Sequence, residues 1–231
     1  MKTIGIIGGT GPESTIEYYK RIVAAYRERT GGDFPSIIIN SINATPLLAF
    51  VAARQLDRIT ELLTTEIARL ARAGADFGLI SANTPHVVFD DVRARSPISL
   101  ISIVEATADA AKMRGLSKLA LFGTQTTMGA NFYPDVFARQ GLTIITPNED
   151  ERVYIHEKYM GELFNGIVLP ETRERLVTIM RAMRERDGID GVILGGTELS
   201  LIFTEPQYDG VPVLDTTQIH VEATVAMALT S

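Results

Sequence analysis

The chain repeats one pattern from end to end: a short apolar run, a loop rich in glycine, threonine or asparagine, then apolar residues at helical spacing. The runs are too short for helices and apolar at successive positions, as strands covered on both faces are. Strands of that kind alternating with helices specify a parallel α/β architecture. They are predicted at residues 4–7, 36–42, 77–81, 99–103, 119–122, 142–145, 191–194 and 211–214. Pro12 opens a helix with Ile16, Tyr19, Val23 and Tyr26 as its apolar face, and Gly31-Gly32 ends it. Leu56, Ile59, Leu63, Ile67 and Leu70 mark a second helix. Others are expected up to about 115, over 149–165 and 170–186, and through His220.

The loops of the second half follow those of the first in the same order. This points to two similar lobes, residues 1–98 with 209–231 and residues 99–208, although a generic βα rhythm accounts for the correspondence equally well. The chain has 231 residues, 45% of them hydrophobic, enough to bury a proper core. Its 22 Lys and Arg against 28 Asp and Glu give a net charge of −6, which leaves no basic footprint for nucleic acid or a membrane surface. The absence of cysteine excludes disulfides, iron–sulfur clusters, thiolate zinc sites and a thiol nucleophile. Three histidines, His86, His156 and His220, argue against a histidine-rich metal site. No stretch approaches the ~20 apolar residues of a membrane span, and glycines come too early for a signal-peptide core. The expectation is a soluble, cytoplasmic chain.

The strand-end loops are where parallel α/β proteins bind ligands. Gly8-Gly9-Thr10-Gly11 is not a dinucleotide fingerprint, because Ser14 stands at the third glycine position, and it carries no P-loop lysine. With no cysteine, few histidines and no phosphate motif, neither a metal nor a nucleotide nor pyridoxal phosphate is expected as a cofactor. Thr10 can hold a small anion at the helix start, or the loop can simply be a tight turn. Asn83 and Thr84, with Thr124 and Thr127, offer the amides and hydroxyls of a carboxylate cradle, and each suits a helix cap as well. Gly195-Gly196-Thr197-Glu198 allows close backbone approach beside Thr197 and Glu198, again with capping as the alternative. His86 and His220 are candidate acids or bases near neutral pH, or core histidines.

Several of these stretches together resemble the aspartate/glutamate racemase family, amino-acid racemases that do not use pyridoxal phosphate. They are Ile6-Ile7-Gly8-Gly9-Thr10-Gly11-Pro12-Glu13-Ser14-Thr15 with Tyr18-Tyr19, Gly123-Thr124 through Thr127-Met128 with Phe132-Tyr133, and Asp215-Thr216-Thr217 with His220. The resemblance implies two flavodoxin-like lobes related by a pseudo-twofold axis, with the active site in the cleft between them. It also implies a homodimer and a small amino acid or related carboxylate as ligand. The family reads Cys-Asn-Thr and Gly-Cys-Thr-Glu where this chain reads Ala82-Asn83-Thr84 and Gly195-Gly196-Thr197-Glu198. The two thiols that exchange the α-proton in the family are therefore missing. Thr84, Thr197, Glu198, His86 and His220 are the groups left to carry proton transfer. A family lysine that meets the substrate's distal carboxylate corresponds to Phe164, and Arg54 is a candidate substitute or an ordinary surface arginine. A lyase or isomerase on another carboxylate, or a small-acid-binding protein, are the competing expectations.

Overall fold

The structure, a computed structural model, describes residues 1–230, apart from the side chain of Pro12. It divides into two compact units, Met1–Ala106 with Thr217–Ser231, and Thr107–Thr216.

The first unit opens with β1 (Ile4–Gly8), α1 (Pro12–Thr30), β2 (Ile37–Ser41), α2 (Ala44–Ala52) and α3 (Leu56–Arg72). It continues through β3 (Phe77–Ile80), α4 (Phe89–Arg95), β4 (Ser99–Ile101) and the start of α5 (Ile103–Met113). Its four strands are parallel in the order β2-β1-β3-β4. Alternate residues of the two inner strands serve opposite faces. Ile7 and Ile80 pack with Ile59, Leu63, Ile67 and Leu70 of α3. Ile4, Ile6, Phe77 and Leu79 pack with Tyr18, Ile22 and Tyr26 of α1. Both faces are thus covered, which is why these strands read as continuous apolar runs.

The second unit contains β5 (Lys118–Gly123), α6 (Gln125–Gly129), α7 (Phe132–Ala138), β6 (Thr143–Ile145), α8 (Glu149–Gly161) and α9 (Pro170–Asp187). Then come β7 (Gly191–Gly195), β8 (Gln207–Tyr208) and β9 (Val211–Asp215), and α10 (Thr216–Ala228) leads back into the first unit. The sheet order is β6-β5-β7-β9-β8, with only β8 antiparallel. Without that edge strand, both sheets follow the same second-first-third-fourth order. α10 adds Val221, Val225 and Ala228 to the α1 face of the first unit's core.

Several expectations are corrected. The buried stripe of α1 is Tyr18, Ile22 and Tyr26, whereas Ile16 and Tyr19 are about half exposed. Strand β4 ends at Ile101, because Ile103 already begins α5. The expected helix over 149–165 is α8 followed by a separate 3-10 turn, Leu163–Asn165. The units part at residues 106 and 216 rather than 98 and 209. The reason is hydrogen bonding: β4 pairs with β3 in the first sheet, and β9 pairs with β7 in the second.

Candidate functional site

In a sheet of this order the chain reverses direction between the first and third strands, and the crevice at their carboxyl ends is the usual ligand site. In the first unit those strands are β1 and β3, and their loops carry Thr10 and Ala82-Asn83-Thr84. In the second they are β5 and β7, and their loops carry Thr124 to Thr127 and Gly196-Thr197-Glu198. Every strand-end candidate except His220 thus falls beside the switch point of one sheet or the other.

Side-chain bonds fix the first of these loop pairs. The Ser81 hydroxyl and N–H both donate to Ile7 O, at 3.0 and 2.9 Å. Ser14, at the place of the missing third glycine, donates to Ser81 O at 2.8 Å and ties the first turn of α1 to the end of β3. Gly9 turns with φ +86°, and a Cβ there would meet Ile42 N at 2.7 Å, so this position needs glycine. Next to it the Thr10 hydroxyl oxygen is buried and has no partner. Asn83 is buried and does not cap the 3-10 turn Thr84–Val88, while Ala82 and Thr84 are half-buried.

Both candidate histidines of this unit have their ring nitrogens engaged. His86 Nδ1 donates to Ala82 O at 2.9 Å, its Nε2 accepts the Ile103 N–H at 3.3 Å, and its ring stacks on Phe89. His220 Nε2 donates to Ile101 O at 3.0 Å, and its Nδ1 accepts from the Tyr18 hydroxyl at 2.9 Å. Burial lowers the His220 pKa to about 4. Burial, and then the neighbouring His220, lower that of His86 to about 3. Both are neutral near pH 7 and brace loops through backbone groups. Arg54 lies exposed just past the end of α2, with φ +52°.

In the second unit Thr124 caps α6: its hydroxyl accepts the Thr127 N–H at 3.2 Å and lies 3.1 Å from the Thr127 hydroxyl. Phe164 is 40% exposed in its 3-10 turn. The Thr216 hydroxyl donates to Leu194 O, holding the start of α10 against β7, and Thr217 is buried.

α8 contributes two groups that sequence reasoning did not place in the site. Asn148 and Glu151 form a reciprocal capping box that sets the start of this helix. Three residues apart and so on one side of it, His156 and Tyr159 reach the ends of β5 and β7. His156 Nδ1 accepts the Gln125 N–H at 3.2 Å. The Tyr159 hydroxyl donates to Glu198 Oε2, and the Thr197 hydroxyl donates to the same oxygen at 2.7 Å. Tyr159 is 6% exposed and Glu198 8%. Burial, with the Glu198 charge second, holds the phenol well above its usual pKa. The backbone of Gly196 is extended, φ −161° and ψ 134°, a conformation open to any residue. A Cβ at Gly196 would nevertheless lie 2.8 Å from both Cζ and the hydroxyl oxygen of Tyr159. The tyrosine ring fills the space a side chain there would take. A glycine in an extended strand-end loop was the only sequence signal, and it does not name its partner.

Comparison with known proteins bears on what these loops are. The family profile described as Asp/Glu/hydantoin racemase matches residues 7–224. The chain belongs to that family. It is 37% identical to an aspartate racemase homologue from Pyrococcus horikoshii OT3, with a TM-score of 0.85 and all of both chains covered. It is 33% identical to a Yersinia pestis protein solved as a candidate Asp/Glu racemase, with a TM-score of 0.92 and again full coverage of both. Among curated proteins, the broad specificity amino-acid racemase RacX of Bacillus subtilis is 23% identical, with 98% of each chain covered. Among the described residues, no group of three His, Cys, Asp or Glu side chains is placed to hold a metal ion. No helix there is long and apolar enough to cross a membrane.

Proposed function

We propose that this family member is an amino-acid racemase-type isomerase that moves the α-proton of a small amino acid or related carboxylate, of the aspartate/glutamate type, without the thiol pair. The observation that carries the reading is the concentration of hydroxyl and amide groups at both switch points of a racemase-family fold. Thr10, Asn83 and Thr84 form one set, and Thr124, Thr127 and Thr197 form the other. Neutral hydrogen bonds contribute about 0.5–1.5 kcal/mol each, so affinity rests on several of them together. The unpartnered Thr10 hydroxyl supports a ligand contact, since buried polar groups are ordinarily paired. The test is incubation with D- and L-amino acids in heavy water, read by NMR as deuterium at Cα. Exchange supports the isomerase, and new products without exchange point to a lyase. Ala82 and Gly196 cannot transfer protons, which favours a second reading, a small-acid-binding protein. Saturable binding of aspartate with no exchange and no product would establish that one.

A further inference from the structure

A buried phenol hydrogen-bonded to a buried carboxylate is a costly way to fill space, because a phenylalanine would pack there without a polar group to satisfy. Tyr159 and Glu198 nevertheless meet in this way beside the switch point of the second unit, with Thr197 on the same carboxylate oxygen. Gly196 belongs to the same arrangement. Its extended backbone does not require glycine, and what excludes a side chain is the Tyr159 ring. The chain has no side chain at 196 and seats a phenol in that space. Strand-end crevices where a titratable group is perturbed by burial and a specific charged partner are where proton-transfer groups are found.

Resting on the isomerase reading above, we infer that Tyr159, with Glu198 as its proton partner, is the acid–base group that serves one face of the substrate's α-carbon. When a proton is removed, the Cα–H bond breaks and its proton goes to the phenol oxygen. The phenol's own proton passes to Glu198 Oε2, and the bond's electron pair stays on the substrate, delocalised into its carboxylate. In the reverse direction protonated Glu198 returns a proton to the phenol oxygen as the phenol protonates Cα. The glutamate loses its charge as the carbanion gains one, so no cofactor or redox partner is required. Burial keeps the resting phenol protonated. Thr197 is a positioning residue that holds Oε2 toward the phenol.

Inversion needs a group on each face of Cα, so removing one group penalises the two enantiomers unequally. A tyrosine that merely supports the loop would slow both alike. The experiment measures deuterium wash-in from each enantiomer separately, over a panel of D- and L-amino acids including aspartate and glutamate. Tyr159→Phe is expected to lower exchange from one enantiomer by about 10²- to 10⁴-fold, leaving the other within a few-fold. Glu198→Gln is expected to affect the same enantiomer, and it carries the test should the tyrosine variant not fold. Variants that exchange both enantiomers at wild-type rates, or lose both equally, overturn the inference and leave the isomerase reading standing. A wild-type protein that exchanges no amino acid overturns that reading, and the inference with it.

Discussion

A Cβ at position 196 would lie 2.8 Å from two atoms of the Tyr159 ring end, closer than carbon atoms pack, while the backbone itself tolerates any residue. Gly196→Cys should therefore destabilise by about 1–3 kcal/mol through overpacking, and Tyr159→Ala by about 3–5 kcal/mol through the cavity it leaves. Combined, the two changes should cost less than their sum by about 0.5–3 kcal/mol, since each relieves the other. Urea unfolding of the four proteins measures this coupling, and additive costs would contradict the shared volume. A side chain at position 196 is thus best accommodated when Tyr159 is made smaller. The buried histidines make a prediction of the opposite kind, one read in pH. The folded state holds His220 and His86 neutral down to about 4 and about 3, whereas the unfolded chain protonates both near the ordinary 6.5. Below 6.5 the unfolded state binds more protons, so stability present above that pH is lost as pH falls. Each histidine contributes up to about 1.4 kcal/mol per pH unit. His220→Gln should give a shallower fall between pH 7 and 5 in denaturant unfolding than the wild type does.

Elements were legible from sequence to different degrees, for physical reasons that particular segments show. Strands β1, β3, β5 and β7 stood out because they are buried almost throughout, leaving no polar alternation to confuse the pattern. Helix α1 was found but rotated. Ile16, Tyr19 and Val23 keep helical spacing as well as Tyr18, Ile22 and Tyr26 do, and only the packing of α1 with β1, β3 and α10 decides between them. Short helices lacked the length to show a period: α2 carries Pro46 in its first turn and is set by Asn43, whose side chain accepts the Thr45 N–H. The Tyr159–Glu198 contact joins groups 39 residues apart, so no local pattern announces it. The phase of α1 can be checked directly. Ile22→Ala, in the core, should cost about 2–5 kcal/mol, whereas Ile16→Lys, on the exposed face, should stay within about 0.5 kcal/mol of wild type. A larger cost at Ile16 than at Ile22 would mean the helix presents its other face.

Over the whole molecule, the same strand order appears twice, and each copy brings hydroxyl-bearing loops to its switch point. Loop chemistry of this kind was readable because it sits in sequence directly after the apolar runs. The unit boundaries were not, since only pairing assigns β4 to one sheet and β9 to the other. If the loops are carboxylate cradles, stability and binding should trade against each other in a way visible in the melting of the intact chain. Thr10 has a buried hydroxyl without a partner, and such a group costs about 1–3 kcal/mol when left unmade. Thr10→Val keeps the shape and removes that cost, so the ligand-free protein should melt about 2–4 °C higher per kcal/mol regained. A ligand that binds only the folded state adds about 2.7 kcal/mol at one hundred times its dissociation constant. That ligand-induced rise, measured with aspartate and with a panel of small dicarboxylates, should shrink in Thr10→Val and in the Thr124→Val, Thr127→Val double variant. The double variant also loses the Thr124 cap of α6, so its ligand-free melting point should fall, by about 1 kcal/mol in stability. A Thr10 variant that melts higher and keeps the full ligand-induced rise would leave its hydroxyl as an unfilled flaw of the β1 loop and place the carboxylate elsewhere.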